Sequence, residues 1–197
     1  MQYLKKEIRE KILQSALKEF EENGFAGATM RQIALGADIS TSNIYRYFPG
    51  KDEIFAEIMR MVHQQVSALI KDLQNLRESQ PDIKTTAHII ARGILKIYNE
   101  YGRELLVITD KSKGSKYDGF KETLVEMVSN RLRGNLAKDA DESDKAFTLA
   151  IATGFIESIF WLIRNYHGQE KIKELINRLV YYYFDELGEK LNKEKTA

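Results

Sequence analysis

Four small polar side chains in a row, Ser40, Thr41, Ser42 and Asn43, are followed by Ile44 and then by Tyr45, Arg46 and Tyr47. Hydroxyls and a carboxamide at the start of a helix donate and accept hydrogen bonds, and they leave the amides of its first turn open to an anion. One turn on, tyrosine supplies a hydroxyl on a stiff arm, and Arg46 can meet a phosphate or a guanine edge with a planar fork. Lys51 stands just beyond Pro49 and Gly50, where an ammonium and the free amides of a new helix together suit a backbone phosphate. The chemistry on offer is hydrogen bonding to a polyanion and its bases, with no covalent step.

Other chemistries lack their residues. The chain of 197 residues has no cysteine, which removes disulfides, thiolate zinc sites and thiol catalysis together. Its three histidines, His63, His88 and His167, are preceded three positions earlier by Arg60, Thr85 and Arg164, so no Glu-x-x-His metal pattern exists. HExxH, dinucleotide and P-loop fingerprints are missing as well, and neither a catalytic residue, a metal nor a cofactor is expected. A helical enzyme or carrier survives as a rival only through acids such as Glu157, were it buried beside a second carboxylate.

The charge balance is nearly neutral, +1 from 30 basic and 29 acidic residues, with eight basic and six acidic among residues 1–51. So weak an asymmetry means that a nucleic-acid partner must be argued from where the charges sit. No run of about 18 apolar residues is evident and the N-terminus is charged from Lys5, so no membrane partner is expected and the chain reads as cytoplasmic.

Helices must position these groups. Apolar residues recur at threes and fours from Ile8 to Phe20, predicting a first helix from about Lys5 to Glu22 that Gly24 closes. Thr29 caps a short helix that turns Ile33, Ala34 and Ala37 inward; Asp38 makes the turn; Ser40 caps a second short helix that buries Ile44 and Phe48. A longer helix follows from Lys51 to about Leu76, with Ile54, Ile58, Met61, Val62, Leu69 and Leu73 inward. Beyond Pro81, helices are predicted over 83–101, 103–111, 117–137, 142–166 and 169–190. A loop by composition lies near 111–119, and the charged tail after Leu187 is expected to fray. Two short helices joined by a tight turn over 29–48, behind a longer one, make a helix-turn-helix whose second helix enters a major groove tip first. The fold expected is all-α.

The stretch from Ile12 to Phe55, with Ala16 and Phe20, "NGF" at Asn23 to Phe25, the Thr29 to Ala34 pattern and "IYRYFPGKDEIF", closely resembles the DNA-binding domain of tetracycline-repressor-like (TetR family) regulators. That resemblance implies a three-helix DNA-binding domain over 1–60 and a larger helical effector-binding and dimerisation domain over 61–197. It implies that Thr29 and Arg31 contact phosphates, and that Thr41, Ser42, Asn43 and Tyr45 lie toward bases beside the capping Ser40. Tyr47 and Lys51 would grip phosphates, and Arg46 is the position to test for sequence preference. One departure stands out: the family usually has glycine where this chain has Asp38, a residue that tolerates the left-handed turn but brings a negative charge near DNA.

Past Lys51 only periodicity is available. The 142–166 helix is apolar nearly all round and the last helix carries one stripe, so Phe147, Ile151, Ile159, Leu175, Leu179 and Tyr183 are candidates for a homodimer interface. Packing within one chain is the alternative. Ile94, Tyr98, Tyr101, Phe120, Leu124, Met127, Phe155 and Trp161 could line a cavity for a small hydrophobic or amphipathic effector, or be ordinary core. The reading overall is a homodimeric repressor that leaves a palindromic operator in double-stranded DNA when an effector binds. A protein of the same fold without an effector is the alternative.

Overall fold

Gly24 interrupts the first helix, as its place after Asn23 demands, with φ 69 and ψ 170. The chain then takes one more helical turn, so α1 spans Gln2–Gly27. The structure, a computed structural model, describes residues 2–79, 83–133 and 141–183. Its further helices are α2 (Met30–Gly36), α3 (Thr41–Ile44), α4 (Lys51–Ser79), α5 (Ile83–Asp110), α6 (Phe120–Arg133), α7 (Glu142–Asn165) and α8 (Gln169–Tyr181). Among the described residues there is no strand, and the fold is all-α with a helix-turn-helix at its N-terminal end. Parts of three sequence expectations lie outside the described residues: the loop at Pro81, the end of the 117–137 helix, and the last segment beyond Tyr183, with Phe184, Leu187 and the charged tail.

Several boundaries move for local reasons. The break expected between residues 101 and 103 is a kink inside α5, where Tyr101 leaves helical geometry at φ −140 and ψ 32. Helix α6 starts at Phe120 rather than 117, because Gly119 takes φ 79 and Tyr117 still belongs to the loop, with its carbonyl accepting from the Ser112 hydroxyl at 3.1 Å. The buried face of α4 is Ile54, Phe55, Met59, Val62 and Val66, while Ile58 and Met61 are only half-buried. Asp52 and Glu53 start that helix, where carboxylates favour the positive end of its dipole.

The chain forms two compact units, and neither is one stretch of sequence. The first comprises Met1–Gln64 with Arg103–Phe120; the second comprises Gln65–Gly102 with Lys121–Ala197. In the first unit the distal part of α5 packs Leu105, Val107 and Ile108 inward. The Arg103 guanidinium grips Glu21 with two hydrogen bonds of 2.7 and 2.6 Å, and the Lys111 carbonyl accepts from the Phe25 amide at 2.8 Å. At its centre the Phe55 ring meets Phe20 and Phe25 edge-on, at centroid distances of 4.9 and 5.0 Å.

In the second unit α7 buries Ala152, Phe155, Ile156, Ile159, Phe160 and Ile163, and α8 answers with Ile172, Ile176 and Val180. A buried hydroxyl pair, Ser129 and Thr148 at 3.2 Å, joins α6 to α7. Gly93 lets α5 approach α4, since a Cβ there would strike the Leu69 side chain. Contrary to the sequence expectation, α7 does contain an 18-residue window apolar enough to cross a membrane, of mean hydropathy 1.8. Of that window 44% is buried, along the row just named, and a helix packed on one side within its unit passes the same test of length and composition.

Candidate nucleic-acid interface

Thr29 stands in extended geometry and its hydroxyl oxygen accepts from the Gln32 amide at 3.2 Å, which starts α2. Ser40 does the same for α3, accepting from the Asn43 amide at 3.2 Å. Substituting such caps removes a partner from an otherwise orphaned amide. Between them Asp38 adopts the left-handed conformation with φ 56, and the Ile39 amide reaches back to the Ala34 carbonyl at 3.0 Å. The turn therefore holds with Asp in the glycine position.

Helix α3 is only four residues long, and Tyr45 to Tyr47 continue it as turns. Ile44 is 0% and Phe48 2% exposed, so the underside is anchored and the opposite side must face out. Thr41, Ser42, Tyr45 and Arg46 are exposed, while Asn43 and Tyr47 are half-buried. The Ser40 and Ser42 hydroxyls lie 3.1 Å apart at the tip. Thr29 and Arg31 are exposed at the start of α2. An outward tip of hydroxyls with an aromatic and a guanidinium one turn behind is thus present as expected from the residue types.

Lys51 is occupied differently from the sequence expectation. Its Nζ donates to the carbonyls of Phe25 at 2.8 Å, Ala28 at 3.2 Å and Ala26 at 3.4 Å, and it stands 4.5 Å from the centroid of the Phe25 ring. The ammonium caps the carbonyl end of α1, where a cation is favoured, so its hydrogen-bonding capacity is turned inward. Lys51→Met, which keeps the stem on Phe25, is expected to cost about 1.5–3 kcal/mol of stability, read as a shift of the denaturation midpoint. The salt dependence of any DNA binding should stay as it was; a slope smaller by about one would return Lys51 to the phosphates.

The remaining candidates divide between the two units. Ile94, Tyr98, Leu124 and Met127 are half-buried and Phe155 buried in the second unit. Tyr101, half-buried in the same unit, is the kink residue of α5. Phe120 belongs to the first unit, its ring 5.9 Å from that of His63. Trp161 is 54% exposed on α7 and tilts against Tyr166, so it does not join the others in an interior. Glu157 is not buried beside an acid; it pairs with Lys121 at 2.6 Å. Of the interface candidates Phe147 is 46% exposed, Ile151, Leu175, Leu179 and Tyr183 are half-buried, and Ile159 is core at 5%. Sequence reasoning missed Leu149 and Tyr182, which are 43% and 52% exposed. Among the described residues no group of His and carboxylates could hold a metal.

Residues 12–58 match the model of bacterial regulatory proteins, tetR family. The chain is 27% identical over 154 residues to the HTH-type transcriptional regulator PksA of Bacillus subtilis, covering 72% of this chain and 74% of that protein. In fold it is similar to a TetR-family regulator from Bordetella parapertussis, with a TM-score of 0.63 and 20% identity over 90% of this chain and 94% of the other. It is also similar to the regulator FadR from Bacillus subtilis, solved in complex with stearoyl-CoA. There the TM-score is 0.52 and the identity 13%, over 89% and 97% of the two chains.

Proposed function

We propose that the chain is a regulator of the tetR family, as the match over residues 12–58 and the likeness to PksA support, and that it acts as a homodimeric repressor, released from a palindromic operator by a small amphipathic effector. It is a DNA-binding regulator and not an enzyme. The observation that carries the reading is the exposed Thr41–Ser42 tip set on the buried Ile44 and Phe48, with Tyr45 and Arg46 exposed behind it. A recognition helix of four residues covers few base pairs, and two copies one helical turn apart read a palindrome. Phe147 and Trp161, large apolar side chains exposed on one side of α7, supply a surface for that pairing. Repression asks no more of such a dimer than occupancy of the promoter, and a cytoplasmic location goes with that task.

The effector belongs to the second unit, around Ile94, Tyr98, Leu124, Met127 and Phe155 in this reading. The FadR ligand, an acyl chain with a polar head, is of the amphipathic class proposed. The route back to DNA is the distal part of α5: beyond the kink at Tyr101 the chain enters the first unit, where the Lys111 carbonyl holds Phe25 and Phe25 in turn holds Lys51. A ligand that favours one arrangement of α5 would bias the α4 start and the turn before it, with reciprocal effects on the two affinities.

The test is selection of duplexes from a random pool, followed by Asn43→Ala. The variant is expected to bind the selected operator about tenfold more weakly, within the roughly 1–3 kcal/mol of one good base contact, and to relax preference at one position of each half-site. Equal loss on all sequences removes Asn43 from base reading. Failure to select any duplex ends the proposal.

A further inference from the structure

Arg9 lies on α1, outside the residues so far given to DNA, yet its guanidinium serves three partners. Its Nε donates to Glu57 Oε1 at 3.2 Å and its Nη2 to Glu57 Oε2, a forked pair. Nη1 donates to the Tyr47 carbonyl at 3.3 Å, and the guanidinium carbon stands 4.2 Å from the centroid of the Phe48 ring. Glu57 belongs to α4; Tyr47 and Phe48 form the turn that closes the recognition helix. One side chain therefore ties three elements of the first unit together at the end of α3 remote from its cap.

So short a helix cannot hold its own direction. Ser40 fixes its first turn, and Ile44 and Phe48 hold its underside. Rotation about that underside is limited by whatever holds the far end, and the Arg9 fork is aimed there. We propose that Arg9 is a positioning residue for operator recognition, setting the tilt of α3 by binding the Tyr47 carbonyl while Glu57 holds its guanidinium, without itself touching DNA. The inference rests on the DNA-binding reading above. The competing role is a phosphate-binding cation for which Glu57 is merely a resting partner.

The two roles give opposite results on one substitution. Glu57→Gln removes a negative charge and keeps the shape. A freed phosphate-binding Arg9 would then tighten DNA and steepen the dependence of log K on log salt by about one. As a positioning residue it loses its holder, and binding is expected to weaken about tenfold with the slope unchanged and the base preference relaxed. Arg9→Lys discriminates too, because a point charge can serve a phosphate but cannot fork onto Glu57 and reach Tyr47 at once. It is expected to match Arg9→Met.

Binding is measured by fluorescence anisotropy over a series of KCl concentrations, on a duplex that the wild-type protein selects from a random pool. Titration at high duplex concentration counts the competent molecules: lost stability lowers its end point, whereas a misdirected helix raises Kd at an unchanged end point. Tighter binding by Glu57→Gln, wild-type affinity in Arg9→Lys, or a slope reduced by one in Arg9→Met overturns the proposal. Should the Arg9 variants not fold, Glu57→Gln decides alone. Should the wild type select no duplex, the DNA reading fails, and the tie itself is judged by amide exchange. Faster exchange at Tyr47 and Phe48 in Glu57→Gln supports it and unchanged exchange overturns it.

Discussion

Phe55→Ala is expected to cost the first unit about 3–5 kcal/mol, the range for emptying a large aromatic from a packed core. Phe55 is 1% exposed, and its ring touches three others: Phe20 and Phe25 edge-on, and Tyr117 at 5.9 Å. These come from either side of the Gly24 break in α1 and from the loop after α5, so no single neighbour can move in to fill the space. Against a total domain stability of about 5–15 kcal/mol, that loss leaves the unit marginal or unfolded at working temperature. Operator binding should vanish before the second unit is disturbed. Urea denaturation followed by amide exchange in α1 reads the first unit, and the fluorescence of Trp161, the one tryptophan, reads the second. A midpoint change worth less than about 1 kcal/mol would mean that the aromatic cluster does not hold the unit together, against the usual cost of such a cavity. Phe55→Leu, which refills part of the volume, should recover much of the loss.

What could be read from the chain before any coordinates was local chemistry. Thr29, Ser40, Asp38 and Gly24 each solve a problem posed within four residues, a cap or a turn, and residue type decides such problems. Exposure of Thr41 and Ser42 followed from the burial of Ile44 and Phe48, because helix periodicity leaves them no other side. Lys51 could not be read that way. Its type suits a phosphate or a helix end equally well, and only the proximity of the Phe25, Ala26 and Ala28 carbonyls, 23 to 26 residues away in sequence, gives it the second task.

The same limit explains α7 and α5. A helix apolar nearly all round offers no periodic cue to its buried side, so Ile159 and Trp161, both candidates by type, exchange places: the first is core and the second is exposed. The break near Tyr101 was legible from the pattern. The assignment of Arg103–Phe120 to the first unit was not, since it depends on partners as distant as Glu21 and Phe25. Arg9 had no motif at all; its three partners lie 38 to 48 residues further along the chain.

Trp161→Lys is expected to convert the proposed dimer into a monomer and to lower operator affinity by roughly 10²–10⁴-fold, the advantage that two linked recognition units gain over one. Trp161 is the most exposed large apolar side chain of α7, ahead of Phe147 and Leu149 on the same helix. Lysine is chosen because it is a good helix former that an exposed position of α7 accepts at little cost, while Glu157 stays engaged by Lys121 at 2.6 Å. The tilted contact of the indole with Tyr166, at 5.9 Å, is a partly solvated one and costs the fold little. A loss of assembly can then be charged to a contact between molecules, because a buried ammonium facing a second copy has no compensating partner there. Sedimentation equilibrium reads the assembly, and duplexes with one and with two half-sites read the consequence. Affinity for the single half-site should stay unchanged, since α1 to α3 are untouched. A variant that stays dimeric, or a monomer that binds the palindrome as tightly as the wild type does, would show that α7 does not carry the pairing on which selective operator binding depends.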